Sequence, residues 1–311
     1  MGPDELVRLA FVARQHFLEG KTRIEIAEDM NLSRFKVGRM LDEAIAHGII
    51  KFELATPELL DLDLSLKLQE KFGLKHALAV IVPTQAPETI QEYLGTVAGQ
   101  LLGEILKETD VLGLTAGRTL SAMARSLQSL PRCEVVQLAG IAGPIQETGV
   151  EVIRRVSRVA GGRPWSIYAP LVVSDPSTAD AILRQLDMRR TFEQFDRVTV
   201  AVVAVGSWSP PDSQMYDNAA ITPELRDRLL AKGARAEICA TLVDDRGSFI
   251  GDIDERTVAI SSSQLRKIPE VIAVAGGELK TGAVRAALSS GLIDSLVTDA
   301  VLAQKLIGDT T

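Results

Sequence analysis

The sequence predicts an α/β protein, with an N-terminal winged helix-turn-helix followed by a larger Rossmann-like α/β domain. Three observations carry this. Residues 21–54 have the caps, the turn and the apolar spacing of two short helices and a wing. Beyond them, apolar strand-length runs alternate with amphipathic helical stretches, the pattern of a mainly parallel sheet covered on both faces. Aromatic residues make up 4% of the chain against 46% hydrophobic, so the core must be aliphatic, as buried parallel strands require.

The N-terminal elements follow in order. Residues 4–19 form a supporting helix, with Leu6, Leu9, Ala10, Ala13 and Phe17 on the expected buried side. Thr22 and Glu25 make a capping box that starts the next helix, whose apolar face is Ile24, Ile26 and Ala27. Asn31 suits the left-handed residue of the turn, and Ser33 is the following N-cap. Val37, Met40, Leu41, Ala44 and Ile45 then recur at helical spacing. Arg34, Lys36 and Arg39 lie near the start of that helix, where a helix-turn-helix enters the major groove. Long cationic donors there suit guanine edges and phosphates. Gly48 is the C-cap, and residues 49–54 form the wing strand. With Thr22 and Ser33 at the two helix starts, these five residues are the candidate DNA contacts. The plain alternative is a helical hairpin with a solvated basic face.

At 311 residues two domains are expected, and the boundary is placed at residue 56, after the wing. A linker helix over 57–73 carries Leu60, Leu64, Leu68 and Phe72 at four-residue intervals and either dimerises or packs on its own domain. Strands are expected at 77–82, 110–114, 134–138, 165–168, 197–205, 236–243, 271–275 and 295–298. Helices are expected at 89–107, 118–127, 148–160, 178–186, 281–289 and 299–307.

Net charge is −7, but residues 1–54 hold eight Lys/Arg against nine Asp/Glu, so the basic cluster is local. That fits specific rather than indiscriminate nucleic-acid binding. No apolar run is long enough to span a bilayer and no signal peptide is visible, so a cytoplasmic protein without a membrane partner is expected. Cys133 and Cys239 sit in apolar, strand-like contexts and read as buried small hydrophobes. The three histidines are not at ligand spacing, and neither a metal nor a cofactor is expected.

Ligands of such sheets bind beyond the carboxyl ends of the strands. Four strand ends carry small residues there. Gly113-Leu-Thr115-Ala116-Gly117-Arg118-Thr119 runs directly into a helix. Exposed backbone N–H groups, a helix N-terminus, two hydroxyls and Arg118 together make an anion cradle. Gly276-Gly277-Glu278-Leu279-Lys280 repeats the arrangement, with Lys280 to neutralise a phosphate or carboxylate. Gly206 follows a long apolar strand, and Gly140 is followed by Gly143 and Pro144. Asp244 ends another strand and is placed to hold sugar hydroxyls, although Asp244-Asp245-Arg246-Gly247 is equally a hairpin turn. Each glycine turn also has the simple reading of a tight turn. Neither a P-loop nor a dinucleotide-binding fingerprint is present.

Four stretches together resemble the SorC-type sugar-responsive bacterial transcription regulators: IAEDMNLSRFKVGRMLDEAIAHGII, GLTAGRTLSAMA, GARAEICATLVDDRG and AVAGGELKTGAVRAALSSGLIDSLVTDAVLAQKL. The resemblance runs nearly end to end and implies several things. The C-terminal domain, residues 57–311, is of the ribose-5-phosphate isomerase and glucosamine-6-phosphate deaminase type. It acts as a sensor and oligomerisation module without enzymatic activity. The partners are operator DNA, a sugar phosphate or polyol effector, and further copies of the chain in a dimer or tetramer. By the same resemblance Thr115, Gly117, Arg118 and Thr119 form the first phosphate-side loop. Gly276, Gly277 and Lys280 form the second, and Asp244 takes the hydroxyl-binding position. The chain departs from the family where Thr115-Ala116-Gly117 replaces Ser-Trp-Gly, and where Leu242 and Val243 replace two Phe residues. The expected role is a repressor of a carbohydrate or polyol operon. The alternative is an active sugar-phosphate isomerase or deaminase with a DNA-binding appendage, for which Glu147, Asp244 and Glu278 are the candidate bases.

Overall fold

The computed structural model describes residues 2–51, 59–142 and 149–308. Within it the chain divides into two compact units, Met1–Thr56 and Pro57–Thr311.

The first unit has three helices, α1 (Pro3–Phe17), α2 (Arg23–Asp29) and α3 (Arg34–Ala46). Thr22 and Glu25 form the reciprocal capping box at α2, and Ser33 accepts from the Lys36 N–H at α3. Asn31 takes positive φ (53°) between them, as the turn demands. Leu9, Val12, Ala13, Ile26, Ala27, Val37, Met40, Leu41 and Ala44 are buried together. The buried stripe of α1 is therefore rotated from the expected one. Val12 is inside, whereas Leu6 and Phe17 are exposed, as are Ile24 and Ile45 on the other helices. Short helices leave such apolar residues at the rim, where spacing alone does not separate edge from centre. Ile49 and Ile50 pack against this core, neither they nor Lys51 form a strand, and residues 52–54 of the expected wing lie outside the described residues.

The second unit begins with a short strand β1 (Leu60–Asp61) and α4 (Leu62–Phe72). Asp61 caps α4, and Leu64 and Leu68 enter the core while Leu62 and Leu66 face outward. The expected linker helix thus packs on its own unit, against the second strand and the last helix. Then follow β2 (His76–Val80), α5 (Pro87–Ile105), β3 (Val111–Leu114), α6 (Arg118–Ser126), β4 (Glu134–Gln137), α7 (Gly149–Ala160) and β5 (Pro164–Trp165). Helices α8 (Pro176–Leu183) and α9 (Leu186–Phe192) lead to β6 (Val200–Ala204). After β7 (Gly206–Trp208), β8 (Pro211–Asp212) and α10 (Pro223–Ala231) come β9 (Ala236–Ile238), β10 (Thr241–Val243) and β11 (Phe249–Ile250). The chain closes through α11 (Ser262–Leu265), β12 (Glu270–Val274), α12 (Thr281–Ser289), β13 (Ser295–Asp299) and α13 (Ala300–Gly308).

Eight strands form one sheet in the order β1-β2-β13-β12-β6-β3-β4-β5, parallel except for β1 at its edge. Its residues alternate between two cores. Leu112, Leu114, Val200, Val202, Ile272 and Val274 pack with α5, α6 and α7. Val111, Ala201, Val203, Val271 and Ala273 pack with α4, α12 and α13 on the other face. Burial on both faces explains runs such as Val-Ala-Val-Val-Ala, where no polar alternation survives.

A second sheet, β11-β10-β9-β7-β8, is wholly antiparallel. This sheet was not expected. The expected single strand over 236–243 is a hairpin: Cys239 and Ala240 both have positive φ (50° and 68°), as in a type I′ turn. Neither residue is a turn former, so the reversal is imposed by the surrounding packing and leaves no sequence signal.

Candidate functional site

The path of the chain creates the site. From β3 it moves outward to β4 and β5, and from β6 it moves the other way to β12. Because β3 and β6 are neighbours, a crevice opens at their carboxyl ends. A cavity of about 540 Å³ lies there, large enough for a small polyhydroxylated ligand. Its floor comes from the strand ends at Thr115, Ala204–Gly206 and Val274–Gly277. The antiparallel sheet contributes Asp212, Ser213, Glu237 and the Cys239-Ala240 turn.

Two helices begin at this cavity with no side chain capping them. They are α6, entered through Gly117-Arg118, and α5, entered through Ala86-Pro87. Both point the positive end of their dipoles at the space, which favours an anion. Thr115 is buried, and its hydroxyl accepts from the Ala204 N–H at 3.1 Å, tying the ends of β3 and β6 together. Gly277 has φ of 95°, and its N–H donates to the buried Asp299 carboxylate at 2.6 Å. A Cβ on Gly276 would lie 2.5 Å from Leu94 Cδ1. Lys280 follows in a 3-10 turn, and its ammonium donates to the Val205 carbonyl at 3.0 Å.

Charge in the cavity is balanced rather than simply positive. Asp212 Oδ1 pairs with the Arg118 guanidinium at 2.5 Å, and its Oδ2 pairs with Lys280 at 3.2 Å. Burial works to raise the Asp212 pKa, but Lys280 and Arg118 outweigh it and hold the carboxyl below its ordinary value. Glu237 behaves oppositely. Burial pushes its carboxyl up, and the opposing effects of Lys280, the Ala240 N–H and the Ser213 hydroxyl do not cancel this. Its side chain is open to the cavity and otherwise enclosed by protein. Gly206 makes that possible, since a Cβ there would lie 2.6 Å from Glu237 Cγ.

Of the expected effector contacts, Thr115, Ala116, Gly117, Arg118, Thr119, Gly140, Gly206, Gly276, Gly277 and Lys280 all line this cavity. Two expected contacts do not. Gly113 lies inside β3, where a Cβ would press on Leu138 and Val198 at 2.9 Å, so it serves sheet packing. Asp244 sits in the β10–β11 turn and accepts from the N–H groups of Arg246 and Ser248. Its carboxylate is spent on the hairpin. Gly143, Pro144 and Glu147 lie outside the described residues. Asp212, Ser213, Gln91, Glu237 and the Cys239-Ala240 turn were not anticipated, because they reach the cavity from a sheet and a helix start that spacing did not reveal. The thiol pKa values of Cys133 and Cys239 are both raised by burial, Cys133 to about 11. Among the described residues no cluster of His, Cys, Asp or Glu could hold a metal ion, and no helix is long and apolar enough to cross a membrane.

In the first unit Arg34, Lys36 and Arg39 are exposed along the start of α3. Between them stands Phe35, 71% exposed, with the Arg34 guanidinium 4.9 Å from its ring centre. An exposed aromatic among cations was not singled out from the sequence, because Phe35 occupies a position where an apolar residue passes for core.

A three-helix unit joined to an α/β unit with a ligand-sized crevice at a topological switch defines a two-part ligand-binding protein. Residues 57–308 match the family described as "Putative sugar-binding domain", and the chain belongs to that family. Over 303 residues it is 27% identical to the deoxyribonucleoside regulator of Bacillus subtilis (strain 168), covering 96% of each chain. It is 28% identical over 310 residues to the transcriptional regulator LsrR of Enterobacter sp. (strain 638), covering 98% of this chain and 93% of that one. The full-length sorbitol operon regulator SorC of Klebsiella pneumoniae shares the fold, with a TM-score of 0.74 at 22% identity, over 98% of this chain and 99% of that one.

Proposed function

We propose that this chain is a cytoplasmic DNA-binding repressor of a carbohydrate or polyol operon, released by a phosphorylated sugar or related polyol bound in the C-terminal cavity. One observation carries the reading. Two glycine loops, two uncapped helix N-termini, Arg118 and Lys280 converge on one crevice in a chain whose relatives are named transcription regulators. In this reading Glu237, Ser213 and Gln91 bind ligand hydroxyls and the loops around Thr115–Thr119 and Gly276–Lys280 bind the phosphate. Residues 1–56 act as a helix-turn-helix, and residues 57–311 act as a ribose-5-phosphate isomerase-like sensor that also forms the dimer or tetramer. The effector must favour one of two states of the protein to alter DNA affinity, and a coupling of about 1–3 kcal/mol is typical.

The test is thermal stabilisation of the purified protein by sugar phosphates, polyol phosphates and free polyols. A ligand of the folded state raises its melting temperature by mass action. A response confined to phosphorylated compounds is expected. Responses only to free polyols would keep the sensor and remove its phosphate site. No response to any of them would leave the C-terminal unit an oligomerisation module.

For the other unit, Arg34→Ala and Arg39→Ala are each expected to weaken operator binding by about 1–3 kcal/mol if they contact base edges. A cation that contacts only phosphate should instead reduce the salt dependence by about one unit of slope. Gel-shift titrations at several salt concentrations distinguish these outcomes. Unchanged DNA affinity in both variants would sink the assignment of α3 as the recognition helix.

A further inference from the structure

The two cations that suit a phosphate are already engaged by a carboxylate of the protein. Asp212 gives one oxygen to Arg118 and the other to Lys280, and so bridges the two glycine loops as two phosphate oxygens would. It reaches them from β8, a two-residue strand at the edge of the antiparallel sheet, paired to β7 alone. All three side chains retain solvent contact, with Asp212 43% and Arg118 53% exposed. The Asp212–Arg118 pair, exposed on both sides, is worth little and is readily exchanged, while the Lys280 side chain, 17% exposed, is the more sheltered partner. A phosphate monoester carries a charge of about −1.5 to −2 near neutral pH, against −1 for the carboxylate it would replace.

From this geometry we propose that Asp212 is a specificity-determining residue. It acts as an internal counter-anion that a phosphorylated ligand must displace from Arg118 and Lys280, and it moves β8 as it leaves. The inference rests on the cavity being an anion-binding effector site. It has two consequences. A weakly charged anion such as a carboxylate gains little by exchanging with Asp212, so the residue filters for phosphate over carboxylate. Occupancy is also transmitted to the β7–β8 hairpin, in which Trp208 pairs directly with Pro211. The chain has two tryptophans, so a Trp165→Phe background leaves Trp208 as the only one.

The probe is inorganic phosphate, titrated calorimetrically into the full chain and into Asp212→Asn at constant ionic strength. Phosphate is expected to bind Asp212→Asn more tightly, by several-fold up to about tenfold, because both cations are then released from the Asp212 carboxylate. Asp212→Ser repeats the comparison with a smaller replacement. In the Trp165→Phe background, phosphate should change Trp208 emission when Asp212 is present and change it much less in Asp212→Asn. Phosphate binding that is unchanged or weaker in both variants overturns the counter-anion role while leaving the anion site intact. Absence of phosphate binding to all three proteins, each folded by circular dichroism, overturns the anion site itself and this inference with it.

Discussion

Replacing Lys280 with alanine is expected to weaken a phosphorylated sugar or polyol about tenfold to a hundredfold, the loss of one charge-assisted hydrogen bond, and to change its unphosphorylated analogue little. The Lys280 side chain is only 17% exposed, and its ammonium is aimed by two contacts, the Val205 carbonyl and Asp212. It is held by the backbone that precedes it. Asp299, fully buried, fixes the Gly277 N–H, and the Gly277 carbonyl accepts the Lys280 N–H at 2.9 Å. Truncation removes the charge and leaves Asp212 facing Arg118 alone, so an incoming phosphate meets both a lost donor and a less neutralised carboxylate. The same truncation strips the Val205 carbonyl of a donor, and a small loss of thermal stability should accompany it. Calorimetric titration of a phosphorylated and an unphosphorylated ligand against both proteins separates the effects. Equal losses for the two ligands would mean that Lys280 shapes the cavity without holding phosphate.

How much of this was legible from sequence depends on whether a residue's role is local. The capping box of Thr22 and Glu25, the left-handed Asn31 and the cap at Ser33 are decided within four residues, and they stand in the structure as the sequence predicts. Strands β3, β6 and β12 are continuous apolar runs bounded by glycine, and they too were legible. The glycine loops after them follow from the same pattern, since strand, glycine and helix in succession place backbone N–H groups at a sheet edge.

The carboxylates missed at the cavity share one physical origin. Cys239 and Ala240 adopt positive φ because β9 and β10 must pair back across a buried turn, and their chemistry does not advertise it. With the hairpin unseen, the strand runs on to Asp244 in the sequence reading, whereas Glu237 is the carboxylate of this segment that lines the cavity. Nothing in the residues flanking Glu237 marks it as a cavity group. Its enclosure comes from Gly206 and Ser213, some 24 to 31 residues away in sequence, and no local pattern contains that approach. Asp212 is hidden in the same way, because its partners Arg118 and Lys280 are distant in sequence.

Glu237 also yields an expectation of opposite sign to the usual binding-site variant. Glu237→Gln should be more stable than the native chain once the pH is high enough to ionise the native carboxyl, while losing affinity for a hydroxylated ligand. Burial raises the carboxyl pKa in the folded state above its ordinary value of 4.5, so between those two values the folded protein binds the proton more tightly than the unfolded one. Stability then falls as pH rises through that window, and above it the full cost of the buried charge persists. Glutamine removes the charge and keeps an oxygen to accept from the Ala240 N–H, while the Ser213 hydroxyl can accept from its amide. The native chain should therefore lose stability relative to Glu237→Gln as pH rises above about 4.5, and the two should converge at lower pH, where the carboxyl is protonated in both states. Melting curves of both proteins across that range test this. A variant less stable than the native chain where the native carboxyl is ionised would show that Lys280 compensates the carboxylate fully. Glu237 would then be an ion-pair partner held in place by its charge, and the loss of ligand affinity would have to be attributed to a displaced Lys280.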